Sequence, residues 1–334
     1  VTFELNRRSF GLAGLAAALG LAAPANSSAA EDPLPSWNDG PAKRALLAFV
    51  RRVTTQGPDF VAPAERIATF DNDGTLWAEM PVYFEVLFAV DRGREMAAKD
   101  PSLAGREPYK SLVEKGAAGL TGLTQAQVVE LVAATHSGMT TEQFLEIARA
   151  WFATARHPTT KRLYTQMVYQ PQLELLAWLR REGFKTFIVS GGGVDFMRAF
   201  AEPVYGVPPE QVIGSSAETR WEMREGVPVL VKLPKVRSVD DKDGKPINIE
   251  LQIGRRPILA FGNSDGDLEM LQWTQAGPGA RLMLLVHHDD AVREWAYDRE
   301  SKIGRLDKAW DAAVKNGWTV VSMKREWKQI FPPE

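Results

Sequence analysis

Residues 67–77 read IATFDNDGTLW: a short apolar run, Ile67 to Phe70, passes straight into two aspartates, an asparagine, a glycine and a threonine. A carboxylate held near an apolar core is costly unless a cation or hydrogen bonds meet it. Asp71 and Asp73 therefore need partners from elsewhere in the chain. Side chains alternate along an extended segment, so Asp71 and Asp73 face one cleft while Asn72 turns away.

Four later apolar runs also have strand character: FKTFIVS (Phe184 to Ser190), PILAFG (Pro257 to Gly262), RLMLLV (Arg281 to Val286) and WTVVSM (Trp318 to Met323). Helical patterns separate several of them, notably QPQLELLAWLRREG before the first of these and SDGDLEMLQWTQ after the second. This alternation predicts an α/β fold, a parallel sheet covered by helices on both faces. Residues 78–169 carry only helical periodicity, as in TQAQVVELVAATHSG, and read as a cap inserted between two parts of the core, 42–77 and 170–334. ETRWEMREGVPVLVKLP predicts a hairpin from Glu218 to Leu233 about its Glu-Gly turn. An amphipathic helix from Ala42 to Thr55 opens the core after a linker at 31–41.

In an open parallel sheet, ligands gather at the carboxyl ends of the strands. Those ends read Asp71-Asn72-Asp73-Gly74-Thr75, Ser190-Gly191-Gly192-Gly193 and Gly262-Asn263-Ser264-Asp265-Gly266-Asp267. The first and third offer an all-oxygen site suited to a small hard cation, Mg²⁺ being the natural one. The second leaves backbone N–H groups free for an anion beside a hydroxyl. A cation site next to an anion cradle suggests a phosphoryl group, with Asp71 attacking phosphorus and Asp73 serving as acid and then base. A nearby lysine completes the charge neutralisation.

These motifs, in this order, resemble the phosphatases of the haloacid dehalogenase superfamily. Asp71, Asp73 and Thr75 match its DxDxT motif, and Ser190 matches the strand-end Ser or Thr. Lys245 in DGKPINIELQIG best matches the lysine that opens a helix, with Pro246 at the first helical position and Lys242 as the alternative. GNSDGD stands for the usual GDxxxD. The resemblance spans roughly Ile67 to Val286 and implies a Rossmann-like three-layer parallel-sheet core with an inserted helical C1 cap, similar to phosphoserine phosphatases and exported phosphorylcholine phosphatases.

It also implies an aspartyl-phosphate on Asp71, acid–base work by Asp73, and phosphate contacts from Thr75, Ser190, Gly191 and Lys245. Mg²⁺ would be held by the Asp71 carboxylate, the Asp73 carbonyl oxygen and Asn263, which stands where an aspartate is usual. An amide oxygen brings no charge, so weaker metal affinity is expected, with Asp267 or Asp265 contributing. The expected activity is Mg²⁺-dependent hydrolysis of a small phosphorylated metabolite. One alternative is a hydrolytic dehalogenase, which has no use for Asp73. The other is a non-catalytic phosphate- or metabolite-binding derivative, for which Asn263 is the only support.

Trp77, Glu79 and Tyr83 follow the first motif into the cap and are candidates for receiving a cationic substrate group, with hinge packing as the other reading. His287, His288, Asp289 and Asp290 read mainly as a solvated loop, since adjacent strand residues point oppositely and cannot share one ion. His136 and His157 read as surface or packing residues. Over 334 residues the formal charge is -2 with mixed signs, which excludes a basic stripe for nucleic acid, and the absence of cysteine excludes disulfides and thiolate metal sites. Residues 1–30, with Arg7-Arg8 before an Ala/Leu-rich run, read as a twin-arginine export signal cleaved after Ala25 or Ala30. That predicts a periplasmic or secreted protein, the twin-arginine export machinery as partner, and no stable membrane anchor, because Phe10 to Ala23 is short and alanine-rich.

Overall fold

The computed structural model describes residues 32–333, so the export-signal reading at 1–30 lies outside the described residues. Eight strands are present: β1 Ile67–Phe70, β2 Lys185–Gly193, β3 Val212–Arg224, β4 Val227–Ser238, β5 Leu259–Gly262, β6 Leu282–Asp289, β7 Ala296–Tyr297 and β8 Thr319–Ser322. They form one sheet in the order β4-β3-β2-β1-β5-β6, with β7 and β8 both pairing with β6. The pairings β2–β3, β1–β2, β1–β5, β5–β6 and β6–β8 are parallel. β1 lies in the middle and is buried at every residue, which is why IATF has no exposed face.

The longer helices are α1 Pro41–Thr54, α2 Phe84–Lys99, α3 Gln125–His136, α4 Thr141–Thr154, α5 Gln170–Arg181, α6 Gly244–Ile253, α7 Leu268–Gln275 and α8 Lys308–Asn316. The period-2 alternation of the strands divides the core between the two sheet faces. Ala68, Phe70, Ile188, Phe261 and Leu284 pack with residues of α1 and α5. Ile67, Val189, Ile213, Ala260 and Leu285 pack with Ile249, Met270 and Ala309 of α6, α7 and α8. Helices on both faces of a mostly parallel sheet make the three-layer arrangement expected from the alternation.

Between Phe84 and Thr154 every regular element is helical, and part of this insert packs on itself through Ala89, Val90, Tyr109, Leu112 and Leu131. Thr124 and Thr140 start α3 and α4 with reciprocal capping boxes to Gln127 and Gln143. The chain enters and leaves the insert side by side: Ala78 N–H donates to Met167 O and Tyr169 N–H to Leu76 O, both at 2.9 Å. At this crossing Trp77 stacks on Phe200 with ring centroids 4.5 Å apart and meets Phe84 edge-on at 4.7 Å.

The structure differs from the sequence expectation in five places. A sixth parallel strand precedes the expected hairpin, because Val212 to Ser215 pairs with β2 before the chain crosses into the antiparallel arm; two apolar residues before Gly214 are too short a run to signal a strand. The hairpin itself is longer, turning at Glu225 and Gly226, both with left-handed φ (51° and 80°), as a tight two-residue turn requires. β2 continues past Ser190 through the glycines, and β6 continues past Val286 through His288 to Asp289. α6 begins at Gly244, so Pro246 is not its first residue. Residues 31–41 are no slack linker where described: Leu34 and Trp37 are fully buried, and the Trp37 indole donates to Pro171 O at 3.0 Å and meets Trp327 edge-on at 5.9 Å.

Among the described residues no helix is long and apolar enough to cross a membrane. Because Trp37 is core rather than tether, Trp37→Ala is expected to cost about 3–5 kcal/mol of unfolding free energy in urea denaturation. A slack linker would show no change.

Candidate active site

β1 ends where β2 and β5 flank it, and the Asp71 N–H continues the ladder by donating to Phe261 O at 2.9 Å. The first turn of α6 brings Lys245 to that point, with Nζ 2.7 Å from Asp71 Oδ1 and 2.5 Å from Asp267 Oδ1. Burial alone would lower the lysine's pKa, but the carboxylates of Asp267 and Asp71 outweigh it and raise the value, so the ammonium stays charged. Asp71 is pushed upward by burial and by Asp267, against the pull of Lys245. Lys242 is exposed, with a left-handed φ of 53°, and does not reach this cluster.

Asp73 is oriented from below, since the Trp77 indole N–H donates to its Oδ1 at 2.8 Å. Burial lifts its pKa from the usual 3.8 to about 7, with the Trp77 hydrogen bond opposing and the Glu85 charge adding. Ser190 is buried and its Oγ accepts from Gly192 N–H at 3.3 Å, while Gly193 N–H donates to Glu85 Oε2 at 2.7 Å. A Cβ at Gly193 would fall 2.2 Å from Glu85 Oε1, so this close approach needs glycine. Asp71, Asp73, Ser190, Gly191 and Lys245 line one end of a cavity of about 640 Å³. Val128 and Val132 of α3, Phe144 of α4 and Val236 of β4 line its other walls.

In the loop after β5, Asp267 Oδ2 accepts from the N–H groups of Asn263 and Ser264 at 2.9 and 3.0 Å. Asp267 is thus spent on the loop and on Lys245. Asp265 faces elsewhere: its Oδ1 accepts from Asp307 and Ala309 N–H, both at 2.9 Å, at the start of α8. Thr75, expected to touch phosphate, is fully buried and off the cavity wall, with its hydroxyl donating to Asn263 Oδ1 at 3.2 Å. Trp77 is likewise core, not a substrate surface. Glu79 reaches the wall but is 1% exposed, and its Oε1 accepts from Asn263 Nδ2 at 2.8 Å and Tyr297 OH at 2.7 Å. Those internal partners take the place of the expected substrate contact. Tyr83 lines the cavity with 37% exposure.

Among the described residues no three His, Asp or Glu side chains converge as a cation cage. The oxygens at this edge are instead the Asp71 carboxylate, the Asn263 amide and the Asp73 carbonyl. Around them lie Asp267, Glu79 and Glu85, with Lys245 as the adjoining cation. A surplus of acid beside mixed oxygen donors fits a small hard cation.

The sequence reading missed a second polar layer. His288 is 2% exposed and not in a solvated loop, because β6 carries it inward while His287 packs on Trp310 at 4.6 Å. Its Nε2 donates to Gly74 O at 2.8 Å, its Nδ1 lies 3.2 Å from Glu294, and its ring stacks on Tyr297 at 4.4 Å. Burial disfavours its charge, yet Glu294 more than compensates and its pKa is raised. In the insert, His136 Nε2 lies 3.3 Å from Glu85 on the cavity wall. His157 is the packing residue expected, fully buried and bonded to Met80 O at 2.8 Å. Inward alternation at the end of a strand beside β5 was the signal available for His288.

A carboxyl raised in the folded state binds its proton there more tightly than in the unfolded chain, so its contribution is present below about pH 4 and is lost as pH rises through the folded value. For Asp73 that window closes at about 7, and for Glu79, lifted chiefly by burial, at about 8. Without divalent cations, the melting temperature is expected to fall between pH 5 and 8. Asp73→Asn should remove part of that slope and melt a few degrees above wild type at pH 8, read by circular dichroism.

A family model described as haloacid dehalogenase-like hydrolase matches residues 68–272. No curated protein matches the chain. Among solved structures, a protein of unknown function from Bordetella pertussis Tohama I is 16% identical, with 77% of this chain and 98% of that chain covered at a TM-score of 0.48. A phosphoserine phosphohydrolase-like protein from Francisella tularensis subsp. tularensis SCHU S4 is 17% identical, with 78% and 95% covered at a TM-score of 0.38. At such values these likenesses carry no functional argument. The family match takes in β1, the helical insert, Ser190, Lys245 and Asp267, more than half of the chain. The chain therefore belongs to the family of haloacid dehalogenase-like hydrolases.

Proposed function

We propose that this protein is a Mg²⁺-dependent phosphomonoesterase working through an aspartyl-phosphate on Asp71. The observation that carries this reading is the Lys245 ammonium, held between Asp71 and Asp267 at the cavity end where Asp73 and Ser190 also stand. Lys245 fixes one Asp71 oxygen and leaves the other for attack on phosphorus. As the P–O ester bond breaks, Asp73, oriented by Trp77, gives its proton to the departing oxygen. It then takes a proton from the water that attacks the phospho-aspartate, and inorganic phosphate leaves. Ser190, Gly191 and Lys245 bind the phosphoryl oxygens.

The cation would be held by the Asp71 carboxylate, the Asp73 carbonyl oxygen and the Asn263 amide oxygen, and it supplies positive charge to the phosphoryl group when bound. Export by the twin-arginine machinery to the periplasm or beyond is part of the same proposal, supported by Arg7-Arg8 and the Ala/Leu run after them. The ligand is a small phosphorylated molecule rather than nucleic acid or membrane.

Beyond the polar end, Val86, Val128, Val132, Phe144 and Val236 make the remaining cavity wall mainly apolar. This supports a leaving group with a sizeable apolar part. Burying ~60 Å² more apolar surface at ~25 cal/mol per Å² is worth about 1.4 kcal/mol, or about tenfold. 1-Naphthyl phosphate should accordingly exceed glycerol phosphate in kcat/KM by at least about tenfold. Asp71→Asn should abolish turnover of both, with Mg²⁺ present and the fold intact by circular dichroism. No turnover of any phosphomonoester by wild type in any divalent cation would overturn the reading.

A further inference from the structure

Asn263 is the position where the chain departs from the acidic pattern of its fourth motif, and Glu79 lies one hydrogen bond away from it. The amide Nδ2 donates to Glu79 Oε1 at 2.8 Å, and Thr75 Oγ1 donates to the amide oxygen at 3.2 Å. A hydroxyl both donates and accepts, so Thr75 does not decide which end of the amide it meets. A carboxylate accepts only, so Glu79 takes Nδ2 and turns Oδ1 the other way.

Glu79 is itself seated closely. Tyr297 OH donates to the same oxygen at 2.7 Å. A Cβ on Gly74 would fall 2.4 Å from that oxygen and 2.0 Å from Asn263 Nδ2, and a Cβ on Gly304 would fall 1.9 Å from Glu79. Both glycines have left-handed φ, 73° and 59°, so conformation and space alike reserve these positions for glycine.

We propose that Glu79 is a positioning residue, and that Glu79 and Asn263 together replace a single acidic ligand. The amide presents its oxygen to the cation, and the negative charge sits one hydrogen bond behind it. This rests on the cation reading above. It reverses the simplest expectation from the motif, that an aspartate in place of Asn263 would improve the site. The substitution Asn263→Asp would set two carboxylate oxygens across the 2.8 Å now spanned by a hydrogen bond, while Lys245 is already committed to Asp71 and Asp267. Adding Glu79→Gln would make that substitution tolerable by offering an amide N–H in return.

The test compares wild type with E79Q, N263D and E79Q/N263D in the whole chain. In metal-free buffer, N263D is expected to melt about 5 °C or more below wild type and the double variant within about 2 °C of it. Losses that simply add in the double variant would overturn the pairing. Calorimetric titration with Mg²⁺ is expected to show about tenfold or greater weakening in E79Q and recovery to within about threefold in the double variant. Unchanged Mg²⁺ affinity in E79Q would overturn the positioning role. Wild type that binds neither Mg²⁺ nor Mn²⁺ would overturn the cation reading, leaving the pairing to be decided by the metal-free melts.

Discussion

The Lys245 ammonium lies 2.7 Å from Asp71 and 2.5 Å from Asp267, and it is nearly inaccessible to water. Through it the end of β1, the first turn of α6 and the loop after β5 are pinned to one point. Asp267 passes the restraint on, since its other oxygen gathers the N–H groups of Asn263 and Ser264 and so shapes the loop. Removing the ammonium would leave buried carboxylates without a counter-charge, a loss on the order of 3–5 kcal/mol. The same contact that holds three elements together also sets the orientation of Asp71, so stability and chemistry are not separable here.

A second constraint joins the core to the insert. Trp77 is at once the centre of an aromatic cluster with Phe84, Phe152 and Phe200 and the donor that orients Asp73. Packing at the crossing therefore controls the direction of a proton-transfer group. On the opposite side Glu85 leans on Gly193 and lies beside His136, so the wall of the cavity is shared between β2 and helices of the insert. Movement of the insert relative to the sheet would change the environment of Asp73 directly.

Much of the site was legible because its residues occupy strand ends, where position along the chain predicts position in space. Asp71, Ser190 and Lys245 meet as the motif order suggested, and Lys245 rather than Lys242 reaches the carboxylates. Trp37 was misread because a short segment rich in Pro, Ser and Asn resembles a linker until its tryptophan finds Trp327. His288 was misread because a run of two histidines and two aspartates looks solvated, although strand alternation sends one histidine inward. Thr75 was credited with phosphate when its hydroxyl serves Asn263. In each case the partner lies far away in sequence, and local pattern carries no trace of it.

By itself the sequence determined the parallel sheet, the helical insert and the strand ends at which carboxylates, glycines and a lysine would gather. Those are consequences of hydrophobic period and of backbone geometry, which act over a few residues. Only the tertiary structure decided which oxygen each donor finds. That Asp265 starts α8, that Glu79 faces Asn263 and that His288 grips Gly74 depend on distances between segments up to about two hundred residues apart. Charge and hydrogen-bond partners in a buried layer are chosen by three-dimensional proximity, because a polar group removed from water must be satisfied by whatever the fold places beside it.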